Sequence, residues 1–288
     1  MFSLRWPLEV WILLCGPLVV VPLGLSLRSR AGISTIEQRL WQVTKWLQWP
    51  AAIAFVVAFA FAEQSYLAAA FTLPWLVTTL LLALVGLLRL QRNGWQLNGQ
   101  TAASAALIFL PVGAGWAVLS RAGIRPQDFS HAIVLLTAVH FHYAGFALPI
   151  LTSRVIGERP GWLEKVLVAA VVVGVPAVGV GISLSPTIEV AAAIALTIAC
   201  LGIASLQLSY AWRIRDRNAS PLLFVSAASL LTAMALAATY AVGEFLGQPW
   251  LPIPAMIATH GVLNAFGFAI CGLAGHALNR PAYLLVTP

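Results

Sequence analysis

The chain has 288 residues, 60% of them hydrophobic and only 9% charged, with a mean hydropathy of +0.91. A soluble domain carries about 25% charged residues, and one of this size could not hide so much apolar surface, so lipid must be the solvent. The net charge of +7 is spread over short loops rather than gathered in a patch or tail; this excludes a nucleic-acid partner and suits loops that orient membrane helices.

Nine apolar segments follow one another, at about 7–27, 49–70, 73–90, 102–120, 131–151, 163–184, 187–211, 221–243 and 254–277. Most reach the ~20 residues that cross a hydrocarbon core of about 30 Å. They predict an all-α polytopic membrane bundle, one integral membrane domain over 1–288 with no soluble domain and no linker. The first segment reads as a membrane helix rather than a cleavable signal, because no A-x-A site ends it and Arg28 and Arg30 follow as a stop-transfer pattern would. In residues 30–48, Ile33, Ile36, Leu40, Val43 and Leu47 recur every three to four positions among charged and amide side chains. That spacing predicts an amphipathic helix on the inner surface; an ordinary polar connection is the alternative. A tight turn is expected at Thr72-Leu73-Pro74, and Leu184-Ser185-Pro186 separates segments six and seven.

Nine alternating helices put thirteen of the Lys and Arg residues on one side, leaving Arg5, Arg121 and Arg125 on the other. The positive-inside rule then places the N-terminus outside and the C-terminus inside a bacterial cytoplasmic membrane. Trp6, Trp49, Trp75, Trp162, Trp212 and Trp250 fall at segment ends, where an amphipathic ring prefers the interface. Cys15, Cys200 and Cys271 sit inside apolar runs and read as small buried hydrophobes. No internal repeat is visible, and nine helices do not divide into two halves of the kind many transporters show.

Two polar insertions interrupt this pattern. Segment five carries His140-Phe141-His142-Tyr143, and segment nine carries His260-Gly-Val-Leu-Asn264. At 1.5 Å per residue, His140 lies about 13 Å below His131 and His260 about 9 Å below Pro254. Asn264 shares the face of His260, because i and i+4 are neighbours on a helix. Glu63 falls in the outer half of segment two, and Glu9, Glu189 and Glu244 near outer ends. The polar groups therefore gather in the outer half, which predicts a cavity open to the outside or to the outer leaflet.

Residues two apart on a regular helix point about 200° apart, so His140 and His142 cannot chelate one metal together. His140, Tyr143, His260 and Asn264 are expected to face a common cavity with Glu63 as its carboxylate, and His142 to point at a different helix. The structural alternative is that these side chains are interhelical hydrogen-bond glue, worth around 0.6 to 2 kcal/mol per contact. For Glu9 and Glu244 the structural reading wins. His131 reads as interfacial, and His276 as a cap or snorkelling residue at the inner end. Gly174, Gly179, Gly181, Gly202, Gly272 and Gly275 permit close helix packing.

The run His140-Phe-His-Tyr-Ala-Gly-Phe146, after Leu-Leu-Thr-Ala-Val139, resembles the characteristic motif of the YndJ-like family of bacterial membrane proteins. His260-Gly-Val-Leu-Asn-Ala-Phe-Gly-Phe268 resembles that family's second motif, HGxxNAxGF. The two occur in the expected order and cover about 16 residues; the rest matches as generic apolar helix. Some members are longer and carry a further C-terminal portion. The resemblance implies that both motifs belong to one design and carries the family's transporter label, without naming a substrate.

Three functions fit. A small transporter or permease suits the multi-pass chain, and a histidine near pKa ~6.5 would couple proton movement to solute passage. An intramembrane enzyme would use His140 or His260 as general acid or base, with Tyr143 and Asn264 orienting a prenyl or other lipidic substrate and Glu63 supplying a proton or charge; isomerase, cyclase and hydrolase chemistry all suit such a set. A sensor or assembly protein would use the histidines as pH-sensitive glue. No cofactor is implied. A divalent metal would need His140, His260 and a carboxylate, with one position left open.

Overall fold

In the computed structural model, residues 6–27, 34–61 and 64–279 are described; Arg5, Arg28, Arg30, Ile33, Glu63 and Arg280 lie outside them. Among the described residues nine long helices make up the fold: α1 Leu8–Ser26, α2 Thr35–Ala58, α3 Tyr66–Asn93, α4 Gly99–Ala122, α5 His131–Val155, α6 Trp162–Leu184, α7 Pro186–Arg213, α8 Ala219–Phe245 and α9 Ile253–Leu278. All but α2 are long and apolar enough to cross a membrane, so the chain is a polytopic helical membrane protein.

Most consecutive helices pack as antiparallel neighbours, and α1 lies against α2, α5 and α9. The start of α1 meets the first halves of α5 and α9, and its end meets the middle of α5 and the last turns of α9. These three helices are therefore parallel, as they must be if every connection between them crosses the bundle. Helix α2 runs opposite to α1: Gln48 reaches Pro17 at mid-length, and the Trp6 Nε1 donates to the Phe59 carbonyl at 3.0 Å beyond its end.

The second helix departs from the sequence reading. It spans Thr35–Ala58 rather than 49–70, and α3 begins at Tyr66 with Pro74 inside it. Caps decide both starts. Ser34 and Glu37 form a capping box, with Glu37 N–H donating to Ser34 Oγ and Ser34 N–H to Glu37 Oε2. Ser65 Oγ accepts from Ala68 N–H to start α3. The expected turn at 72–74 therefore falls near 59–65 instead. There Arg121 donates from Nη2 to the Phe61 carbonyl and lays its guanidinium over Phe59. Trp75, expected at an interface, is fully buried, because the helix starts nine residues before it.

Helix α2 buries a stripe that mixes polar and apolar side chains. Its buried stripe is Glu37, Trp41, Thr44, Gln48, Ala51, Phe55 and Ala58, at steps of four and three. Ile36 and Val43, which suggested an amphipathic surface helix, are exposed, as is Trp46 at 80%. Residues 35–48 are thus the first half of a long helix that turns Glu37, Thr44 and Gln48 inward and leaves Gln38, Arg39, Gln42 and Lys45 exposed. Glu37 takes Arg89 Nε at 3.1 Å and also Arg92 Nη1, both from the end of α3.

Candidate functional site

Helices α1, α5 and α9 each contain wide π-helical turns: Gly16–Val20 in α1, Tyr143–Ala147 in α5, and Ile257–Gly261 with Leu263–Ile270 in α9. These stretches touch one another at the centre of the bundle. Such turns free backbone groups that must find partners away from water.

In α1 the cause is proline. Pro17 has no N–H for the Leu13 carbonyl, so Gly16 N–H turns to Leu13. The Ile12 carbonyl then loses its i+4 donor, and its i+5 residue is Pro17 itself. Tyr143 Oη of α5 donates to Ile12 O at 2.8 Å. The pattern repeats five residues on. Val21 N–H goes to Gly16 O, Pro22 has no N–H, and the orphaned Pro17 carbonyl accepts Gln48 Nε2 at 2.9 Å. Tyr143 and Gln48 thus satisfy two carbonyls that prolines leave unpaired in the first helix.

His142 is fully buried. Its Nδ1–H donates to Ala138 O at 2.8 Å, and its Nε2 accepts from Trp75 Nε1 at 3.0 Å. A carbonyl only accepts and an indole N–H only donates, so the ring is neutral and in one tautomer. Trp75 lies nearly parallel to it, at 16°. Two glycines make room: a Cβ on Gly16 would come within 2.9 Å of the ring, and one on Gly113 within 2.8 Å. His142 joins α1, α3, α4 and α5 in one knot with both nitrogens committed.

The other histidines are arranged differently. His260 Nδ1–H donates to Ala233 O of α8 at 2.8 Å, and Asn264 Nδ2 donates to His260 Nε2 at 3.0 Å. This also fixes a neutral tautomer. Helix α8 supports the same face of α9 through Ser226 Oγ, which donates to Phe268 O at 2.7 Å, and through Gly267, where a Cβ would strike Ser229. His140 is close enough to His260 to interact with it electrostatically. Its Nε2 is buried and has no hydrogen-bond partner among the described residues.

The structure therefore pairs His260 with Asn264, sets His140 within electrostatic range of His260, turns the Tyr143 hydroxyl to α1, and sends His142 to α3. Glu63 lies outside the described residues. His131 Nε2 pairs with exposed Gln64 at 2.8 Å. His276, expected to snorkel, is buried against Tyr210, with ring centroids 5.1 Å apart; the close approach of α8 and α9 at Gly275 places it inward. Among the described residues no group of three His, Cys, Asp or Glu side chains is set to hold a metal ion. Trp75, Gln48 and the glycines at 16 and 113 escaped the sequence reading. The signal that marks Gln48 and Tyr143 is the Pro17/Pro22 pair inside an otherwise apolar run.

The YndJ-like protein family matches residues 11–268. The chain is 30% identical over 211 residues to the uncharacterized membrane protein YndJ of Bacillus subtilis (strain 168). The match covers 71% of this chain but 38% of that relative's length. No solved structure matches it. The chain belongs to the YndJ-like family of integral membrane proteins.

Proposed function

We propose that this YndJ-like protein is a small transporter or permease of the bacterial cytoplasmic membrane, in which His140 takes up and releases a proton beside the fixed His260–Asn264 pair. The observation that carries the reading is the meeting of irregular turns from α1, α5 and α9 next to His140, whose buried Nε2 has no hydrogen-bond partner among the described residues. Interrupted helices converging near mid-membrane are the usual construction of a transport site, and π turns recur at functional positions. An intramembrane ionisable group left unsatisfied is a functional residue by default. His260 already donates to Ala233 and accepts from Asn264, so it holds position while His140 is left to exchange a proton.

Proteoliposomes loaded with a pH-sensitive dye test this. Under an imposed gradient, a panel of small solutes is screened for solute-dependent proton movement. The expected result is movement in the wild type that is lost in His140→Ala and kept in His131→Ala. The geometry also admits an intramembrane acid–base enzyme, with His140 as the base and Asn264 orienting a prenyl or lipidic substrate. Turnover of such a compound in detergent, with no gradient, overturns the transport reading in favour of that one. A change of oligomeric state in His140→Ala, with no solute dependence in the wild type, overturns both.

A further inference from the structure

A cavity of about 340 Å³ opens at the other end of the bundle, where the basic residues gather, and none of the histidines described above lines it. Three guanidiniums do: Arg89 and Arg92 from the last turns of α3, and Arg154 from the last turn of α5. Glu37 holds Arg89 by Nε and Arg92 by Nη1, which leaves their remaining N–H donors unclaimed by that carboxylate. Trp41 supports Arg89 from below, 5.6 Å from its ring centre. Arg154 is exposed and has no ion pair among the described residues. The one carboxylate in the lining, Glu158, is exposed and accepts Gln100 Nε2 at 2.8 Å. The lining is therefore net positive, and Gln100 adds an amide.

The remaining wall mixes Asn93, Ser104 and Ser153 with apolar side chains. Leu25, Leu107 and Ile150 line the same space and belong to helices that continue into the bundle. The cavity sits at helix ends, at the level of lipid headgroups, and its volume is near the lower bound of small-molecule sites, about 300 Å³. That is room for a headgroup and its first methylenes, not for a whole lipid. Arginine forks match phosphate oxygens in pairs, and basic pockets between membrane helices recognise anionic headgroups.

We propose that this cavity binds the anionic phosphate headgroup of an amphiphile, with Arg154 as the charge that answers it and Arg89 and Gln100 as further donors. The site is independent of the His140 reading. The test uses the purified full chain in neutral detergent, titrated with phosphatidylglycerol, phosphatidylcholine or glycerol 3-phosphate and followed by thermal melting and native mass spectrometry. Phosphatidylglycerol is expected to bind saturably and raise the melting temperature. Arg154→Gln should weaken it about tenfold or more, the loss of one charge-assisted contact, while melting without lipid is unchanged. Arg89→Gln, which leaves Glu37 paired with Arg92, removes one positive charge from the lining and should weaken binding likewise; His140→Leu should not. An equal response to phosphatidylcholine, or undiminished binding in both variants, overturns the proposal. A full response to glycerol 3-phosphate overturns its lipid half and assigns the cavity to a soluble phosphate ester.

Discussion

His140 and His142 are separated by one residue and live in opposite circumstances. His142 has a donor and an acceptor on either side of its ring, a tryptophan against its face and two glycines cut to its shape. His140 is buried at Nε2 with no partner among the described residues and faces a second histidine whose own nitrogens are committed. The lesson is that a polar residue in a membrane helix is judged by what its lone pairs and protons already do. A ring with both nitrogens spent is structure; a ring with one left over has capacity for chemistry.

Four substitutions test the contrast by stability, from the largest effect down, and a fifth serves as a reference. His142→Leu leaves the Trp75 N–H buried without an acceptor and misfits its pocket, so it should cost about 2–4 kcal/mol. The readout is melting of the purified protein in detergent, with loss of the monodisperse peak on size exclusion. Gly113→Ala drives a methyl into the same ring and should cost about 1–3 kcal/mol; if it melts like the wild type, the knot is looser than its contacts imply. Tyr143→Phe strands the Ile12 carbonyl and should cost about 1–2 kcal/mol. His140→Leu removes a buried nitrogen that has no hydrogen-bond partner among the described residues, so its melting temperature should equal or exceed that of the wild type, and on the proposed transport reading solute-coupled proton movement should disappear. A loss as large as that of His142→Leu would erase the distinction between the two histidines.

The fifth and smallest effect belongs to a group remote from both. Asp216, half-buried, accepts the N–H groups of Ala219 and Asn218 at the head of α8, and those bonds hold its carboxyl below the usual carboxylate range. A lowered folded pKa gives stability that is present above the unfolded value of about 3.9 and is lost as pH falls through the folded value. Melts of Asp216→Asn from pH 7 to pH 3 should therefore show a shallower acid limb and leave the response of both histidine neighbourhoods unchanged.

Seven helices lie within four residues of where apolar run length predicts them, because a span is set by hydrocarbon thickness and thickness is readable as length. The second and third were not legible in the same way. Pro74 looked like a boundary, yet Ser65 supplied the stronger start and the proline was absorbed into the helix. The pairing of His260 with Asn264 followed from i, i+4 spacing. The fate of Tyr143 did not, since it depends on a carbonyl 131 residues earlier in the chain that only the Pro17 turn makes available. Regular-helix angles did separate His140 from His142, but Trp75 as the partner of His142 was hidden by its assignment to an interface.

The buried polar groups of α2 have a consequence for how the first three helices come together. Glu37 and Gln48 are buried, and a buried polar or charged side chain is costly unless it is paired. The Pro17 carbonyl of α1 pairs with Gln48, and the arginines of α3 pair with Glu37. The buried polar face of α2 therefore ties its docking to α1 and α3 together, and neither neighbour alone satisfies it.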